Sequence, residues 1–356
     1  MTRAGESTLR LLLAPIAPHL AESTVTEIVI NRPGEAGVET REGWTWHEMP
    51  ELTFERLDAI ATLCAAMSQQ DVGPERPLCG SILPDGQRVQ ICRPPAVNAG
   101  TLSLTIRRPS TFTPTISSLA AGGLFSRTEG AAVRAHPMDR ELMELHAARR
   151  WEEFFPAAVR AKKTIIATGD TGSGKTTFAK ALIQAIPLEE RLITIEDTAE
   201  FTGLPQRNLV SLFYSKGDQG VARVRSEDLI EAALRMRPDR VLMQELRDGA
   251  AFTFIRSIAA GHPGSITTCH AGSAPGAFDA LLLMVKQHDA GKYLADADVR
   301  VLLKQLVDVV VHCRCDHRGF AIEEVYFDPL SKSPELAAQV EAIPEPVKNW
   351  REAARV

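Results

Sequence analysis

Gly169-Asp170-Thr171-Gly172-Ser173-Gly174-Lys175-Thr176 satisfies G-x-x-x-x-G-K-[ST], and its setting gives the match physical content. The preceding run, Thr164-Ile-Ile-Ala-Thr168, is short, apolar and rich in β-branched residues; the following Phe178-Ala-Lys-Ala-Leu-Ile-Gln-Ala-Ile186 has helical composition and apolar spacing. Strand, loop and helix thus stand in the required order. Glycines at 169, 172 and 174 let successive backbone N–H groups turn inward, so that they and the helix N-terminus form a cradle for phosphate oxygens. In such a loop Lys175 reaches the β- and γ-phosphates of ATP, and Thr176, followed by Thr177, offers its hydroxyl to Mg²⁺.

At 356 residues, with 44% hydrophobic and 24% charged, the chain has material for two globular domains. No window has the apolar length of a membrane span, and the N-terminus lacks the layout of a secretory signal, so a cytoplasmic protein is expected. Six scattered cysteines, at 64, 79, 92, 269, 313 and 315, fit reduced thiols better than a disulfide framework. A net charge of −5 argues against non-specific duplex binding, and no direct nucleic-acid partner is expected.

Before the phosphate loop, a short opening helix is expected over 7–20, then strands at 25–30, 38–41, 44–47, 88–93 and 101–107, with a helix at about 53–69. These make a small α+β domain over 1–108. Arg108-Pro-Ser-Thr-Phe-Thr-Pro-Thr115, with two prolines and no apolar period, places a linker at 109–125. After it, strands at 164–168, 191–196, 208–214, 240–244 and 265–269 alternate with helices, the signature of a parallel α/β sheet in a domain over 126–330. Val307–Cys315 and Phe320–Phe327 read as an antiparallel pair turning at 316–319, and 331–356 as a polar tail.

Three strand ends carry candidate chemistry, and strand C-terminal ends are where an open α/β sheet holds ligands. Ile193-Thr-Ile-Glu196-Asp197-Thr-Ala-Glu200 ends in carboxylates. Solvated acids at a strand end would look the same, but the phosphate loop one helix upstream favours a role at the nucleotide. Arg240-Val-Leu-Met-Gln244-Glu245 is laid out as a Walker B strand, with Gln244 where an acid is usual. Glu196 is expected as the base that polarises water and Glu245 on the Mg²⁺ side. Ile266-Thr-Thr-Cys269-His270 brings a histidine to a third strand end, where it would sense the γ-phosphate; His262 is a weaker candidate, and either could be an ordinary polar group. His312-Cys313-Arg-Cys315-Asp-His317 matches no usual zinc spacing and reads as a hairpin.

Taken in order, the phosphate loop, Ile195-Glu-Asp-Thr-Ala-Glu200, Leu234-Arg-Met-Arg-Pro-Asp-Arg-Val241 with Glu245-Leu-Arg247, and Gly261-His-Pro-Gly-Ser-Ile-Thr-Thr-Cys-His-Ala-Gly-Ser273 resemble the secretion traffic ATPases, most closely the ring-forming ATPase of bacterial type IV secretion and conjugation systems. Thr26–Gly34, Gly86–Gln90 and Ser103–Arg107 resemble that family's N-terminal domain. One departure is Gln244, where the family usually has Gly. The resemblance implies a RecA-like ATPase domain, a homohexameric ring peripheral to the inner face of the inner membrane, contacts with inner-membrane components of the secretion apparatus, and ATP bound between the domains with Arg88 and Arg107 supplied to its phosphates. Two alternatives stand beside it: a pilus assembly or retraction motor of the same superfamily, and a nucleotide-switched scaffold with negligible turnover.

Overall fold

Apolar residues at 57, 60, 61, 64 and 65 put one face of a helix into a core, and Thr53, whose side chain accepts from the Arg56 backbone N–H at 3.3 Å, starts it. In the computed structural model, which describes residues 3–109, 113–128, 136–215 and 220–333, this helix covers one sheet of the N-terminal domain. That domain runs α1 (Arg3–Leu12), α2 (Ala17–Ala21), β1 (Glu27–Ile30), β2 (Gly34–Thr40), β3 (Gly43–Met49), α3 (Phe54–Met67), β4 (Leu78–Ile82), β5 (Arg88–Cys92) and β6 (Ser103–Arg107). Its six strands are ordered β3-β2-β1-β6-β5-β4 and pair antiparallel throughout. The sequence did not disclose β4, and β2 begins at Gly34, ahead of the strand expected at 38–41.

The segment read as a linker holds α4 (Ile116–Ala121), which buries none of its residues; residues 110–112 lie outside the described residues, as do 334–356 of the tail. The second domain follows with α5 (Asp139–Ala147), α6 (Trp151–Arg160), β7 (Ile165–Thr168), α7 (Lys175–Gln184), β8 (Leu192–Glu196), β9 (Leu209–Phe213), α8 (Ser226–Leu234), β10 (Arg240–Met243), α9 (Ala250–Ala259), β11 (Ile266–Cys269), α10 (Gly276–Gln287), α11 (Asp296–Leu306), β12 (Val309–Asp316) and β13 (Gly319–Phe327). Strands β10-β8-β9 pair in parallel, as do β11-β7-β12, with β13 antiparallel on the edge. The two sets meet where Leu246 N–H donates to Thr268 O at 2.7 Å. Strands β7, β8, β10 and β11 are buried along their whole length, as a parallel sheet covered on both faces requires. One apolar cluster, with Phe154, Ile183 and Leu182, fills one face; another, with Leu229, Phe254 and Leu281, fills the other. Cys92, Ala96 and Val97 of the N-terminal domain join the second cluster, so the domains share a core.

Arg191, at the start of β8, joins the domains. Its guanidinium is fully buried and donates to Met236 O (2.8 Å), Asn31 Oδ1 (2.9 Å) and Thr105 Oγ1 (3.1 Å). Burial lowers its pKa to about 10. Arg237 pairs with Glu39 across the same seam. Glu27, on β1, lies buried beside these arginines with its Oε2 unpartnered, and burial pushes its carboxyl up to about 7 although Arg107, Arg237 and Arg191 pull it down. The folded chain therefore holds this proton more tightly than the unfolded chain, where the group titrates near 4.5. That contribution is complete below the lower value and is lost as pH rises through about 7. Glu27→Gln is expected to raise the thermal midpoint over wild type by more at pH 8 than at pH 5. An equal difference at both pH values would contradict it.

Candidate active site

The C-terminal end of β7 is closed around the phosphate loop. Gly169, at φ +142°, has no room for a side chain: a β-carbon would stand 2.1 Å from Cys313 O and 2.6 Å from Ser173 Oγ. The loop therefore lies tight against β12 before it turns into α7 at Lys175. Lys175 is buried, and its Nζ folds back to donate to Gly169 O (2.8 Å) and Asp170 O (2.7 Å). Burial lowers the pKa of this amine, while the Glu245 carboxylate pulls it back up. Ser173 Oγ is buried with no hydrogen-bond partner. A buried donor with nothing to bond and an ammonium held only by its own loop's carbonyls fit an anion in this cradle. Asp170, Thr171, Gly172 and Thr177 line its exposed rim, while Gly174 and Thr176 are half-buried at the start of α7.

Two strands away, Glu245 follows the tip of β10. Its Oε2 pairs with Arg247; its Oε1 lies 3.0 Å from His270 Nε2, close enough for an ion pair but misaligned for a hydrogen bond, so that buried oxygen has no hydrogen-bond partner. His270 is 47% exposed and follows β11, the strand between β10 and β7. Thr268 Oγ1 donates to Gln244 O at 2.9 Å and Thr168 Oγ1 to Ala271 O at 3.2 Å, which tie the three strand ends to one another. Lys175, Glu245 and His270 are thus brought to one place. Arg247 was not anticipated as part of this group; its spacing of two from Glu245 on an irregular strand end was the available signal.

Glu196 is placed differently from expectation. It is 1% exposed, and its carboxylate is already engaged: Oε1 accepts from Thr194 Oγ1 (2.6 Å), and Oε2 from the backbone N–H groups of Glu200 (2.9 Å) and Phe201 (2.8 Å). A carboxylate with three donors and no solvent access braces the loop after β8; it is not poised to take a proton from water. Gln244 acts from the neighbouring strand, its Oε1 accepting from Asp197 N–H at 3.0 Å. The departure from glycine therefore adds a strut between the ends of β8 and β10. His262 precedes β11 and so stands at the opposite end of the sheet from His270.

Arg88 and Arg107 face each other across β5 and β6. Arg107 is 75% exposed and lies 3.7 Å from Glu27, near the seam at Arg191 and Arg237, which open β8 and precede β10. That seam is at the strand N-terminal ends, whereas the phosphate loop, Glu245 and His270 are at the C-terminal ends. Within one chain the two arginines are not brought to the phosphate loop.

A sequence family described as Type II/IV secretion system protein matches residues 133–342. The chain is 43% identical over 331 residues to the type IV secretion system protein VirB11 of Bartonella henselae, spanning 90% of this chain and 93% of that one. It is 42% identical over 325 residues to VirB11 of Brucella suis, spanning 90% of each. The crystal structure of the Brucella suis VirB11 ATPase in complex with sulphate superposes with a TM-score of 0.88 at 40% identity, over 92% of this chain and 97% of that one. With the phosphate loop, the Glu245 strand end and the two-domain fold in agreement, the chain belongs to the type II/IV secretion ATPases, among the VirB11 ATPases of type IV secretion systems.

Proposed function

We propose that this ATPase works as a homohexameric motor on the inner face of the inner membrane, where ATP hydrolysis between subunits drives the components of a type IV secretion apparatus. The observation that carries the reading is the facing of Lys175 and Glu245 across β11, with Glu245 Oε1 buried, without a hydrogen-bond partner and 3.0 Å from His270 Nε2. On this reading Lys175 leaves its loop carbonyls for the β- and γ-phosphates, and the backbone N–H groups of 172–177 hold the oxygens around it. Glu245 orients and deprotonates the attacking water, Arg247 holds the other carboxylate oxygen, and His270 reports whether a γ-phosphate is present. Thr176 and, through water, Glu245 suit Mg²⁺, which keeps most of its ligands as water and phosphate oxygen; when bound it neutralises charge on the β- and γ-phosphates. Among the described residues, no group of three or more His, Cys, Asp or Glu could hold a metal alone. No helix among them is long and apolar enough to cross a membrane, which suits attachment through partners.

Arg88 and Arg107 then belong to the next subunit's site, since their own chain holds them at the far end of the sheet. An arginine arriving only when neighbouring subunits close makes turnover depend on ring geometry. Replacing either by Ala is expected to slow turnover about ten- to a thousandfold with ADP affinity nearly kept, because ADP has no γ-phosphate to contact. Mixing subunits that carry Lys175→Ala with subunits that carry Arg88→Ala and Arg107→Ala tests the arrangement. Each parent ring should be nearly inactive and the mixed ring should regain phosphate release, since some sites combine an intact loop with intact neighbouring arginines. A mixed ring as inactive as its parents would contradict supply from the neighbour, and wild-type rings that release no phosphate would contradict the motor itself.

A further inference from the structure

We propose that Phe320, on the β12–β13 hairpin, forms a wall of the nucleoside subsite and stacks on the base of the bound nucleotide. The inference rests on the reading that the phosphate loop takes ATP. Strand β7, which leads into that loop, lies between β11 and β12. Glu245 and His270 belong to the β10 and β11 side, so the γ-phosphate is drawn toward that flank, and the nucleoside leaves over the other. There the hairpin rises beside the loop, with Phe320 opposite Cys315 just after the turn.

The ring lies directly against the loop. A β-carbon on Gly174, the residue before Lys175, would stand 2.9, 3.4 and 3.5 Å from Phe320 Cδ1, Cε1 and Cγ. Gly174 therefore leaves space for the ring as well as for its own backbone turn. Yet Phe320 is 73% exposed, so most of its surface has no cover among the described residues. Ile322, two residues on and on the same strand face, is also exposed and extends the apolar strip along the hairpin, opposite Cys313. An uncovered aromatic ring beside an anion cradle, on the flank away from the catalytic acid, suits a planar base joined to phosphates. Stacking of this kind tolerates any base, so it adds affinity for nucleotides as a class.

The test uses the full chain with ADP and inorganic tripolyphosphate as probes. Phe320→Ala is expected to weaken ADP binding about ten- to a hundredfold, the scale of one lost base-stacking contact, and to leave tripolyphosphate binding within about twofold of wild type. Phe320→Trp should restore ADP affinity, and its added fluorescence, after subtraction of the wild-type signal, should be quenched by ADP and not by tripolyphosphate. Wild-type ADP affinity in Phe320→Ala would overturn the proposal. So would an equal loss for both probes, which would mean that the ring only shapes the phosphate loop. Failure of the wild-type chain to bind either probe would sink the nucleotide reading of the loop itself.

Discussion

Lys175→Ala is expected to lower ATP turnover by at least about a hundredfold, the scale of losing one charged contact to the transition state. The argument starts from where the amine is. It is buried at the head of α7, its ordinary basicity is reduced by that burial, and its donors are spent on two carbonyls of its own loop. Those bonds hold the loop in shape until an anion replaces them, so the alanine variant loses the anion contact and some of the loop's order together. The rest of the fold should be unaffected, because the apolar clusters on both sheet faces do not include this side chain. Phosphate release measured on variant rings of wild-type size decides the matter. Near-wild-type release from a preparation free of other ATPases would end the motor reading.

The second large effect belongs to Glu245. On the proposed mechanism, Glu245→Gln keeps the shape and one acceptor oxygen but removes the base, so ATP should still bind while cleavage falls by at least about a hundredfold. Glu196→Gln is expected to behave differently. It replaces one of two oxygens that receive three donors, so it should loosen the loop after β8 and lower stability, with a much smaller effect on cleavage. Affinity measured beside single-turnover cleavage separates the two cases. Loss of ATP binding in Glu245→Gln would instead make that residue chiefly a ligand of the nucleotide or its cation.

Much of this arrangement can be read from the chain by itself. The five strands expected from 164 to 269 are all present, each within a residue or so at either end, because β-branched runs bounded by polar residues leave little freedom in a parallel sheet buried on both faces. Strand β4 escapes such a reading because its inward positions are Cys79 and Ser81, too small and mixed to show alternation. Lys175, Glu245 and His270 could be placed together from strand order alone. Glu196 is the residue whose surroundings differ from expectation, since sequence gives a strand-end acid but not the direction of its carboxylate. Thr194, two positions earlier and so on the same strand face, was the available hint. Arg191 and Arg240 are both fully buried, which the sequence did not disclose. Each is held by partners distant in sequence: Arg191 by Asn31 and Thr105, Arg240 by Glu190 and the Val159 carbonyl. No local pattern discloses partners that far away. The same limit hid the placement of Arg88 and Arg107, whose strands are legible while the side of the ATPase domain they dock against is not.

The placement of the base is the central claim, and the nucleotide retained by the rings tests it most directly. Glu245→Gln and Glu196→Gln rings would be loaded with ATP and Mg²⁺, freed of unbound nucleotide and denatured, and the ratio of ATP to ADP in the released fraction measured. With Glu245 as the base, the Glu245→Gln rings hold mostly ATP, while the Glu196→Gln rings, like wild type, hold mostly ADP. The reverse, ADP in Glu245→Gln and trapped ATP in Glu196→Gln, would contradict the account.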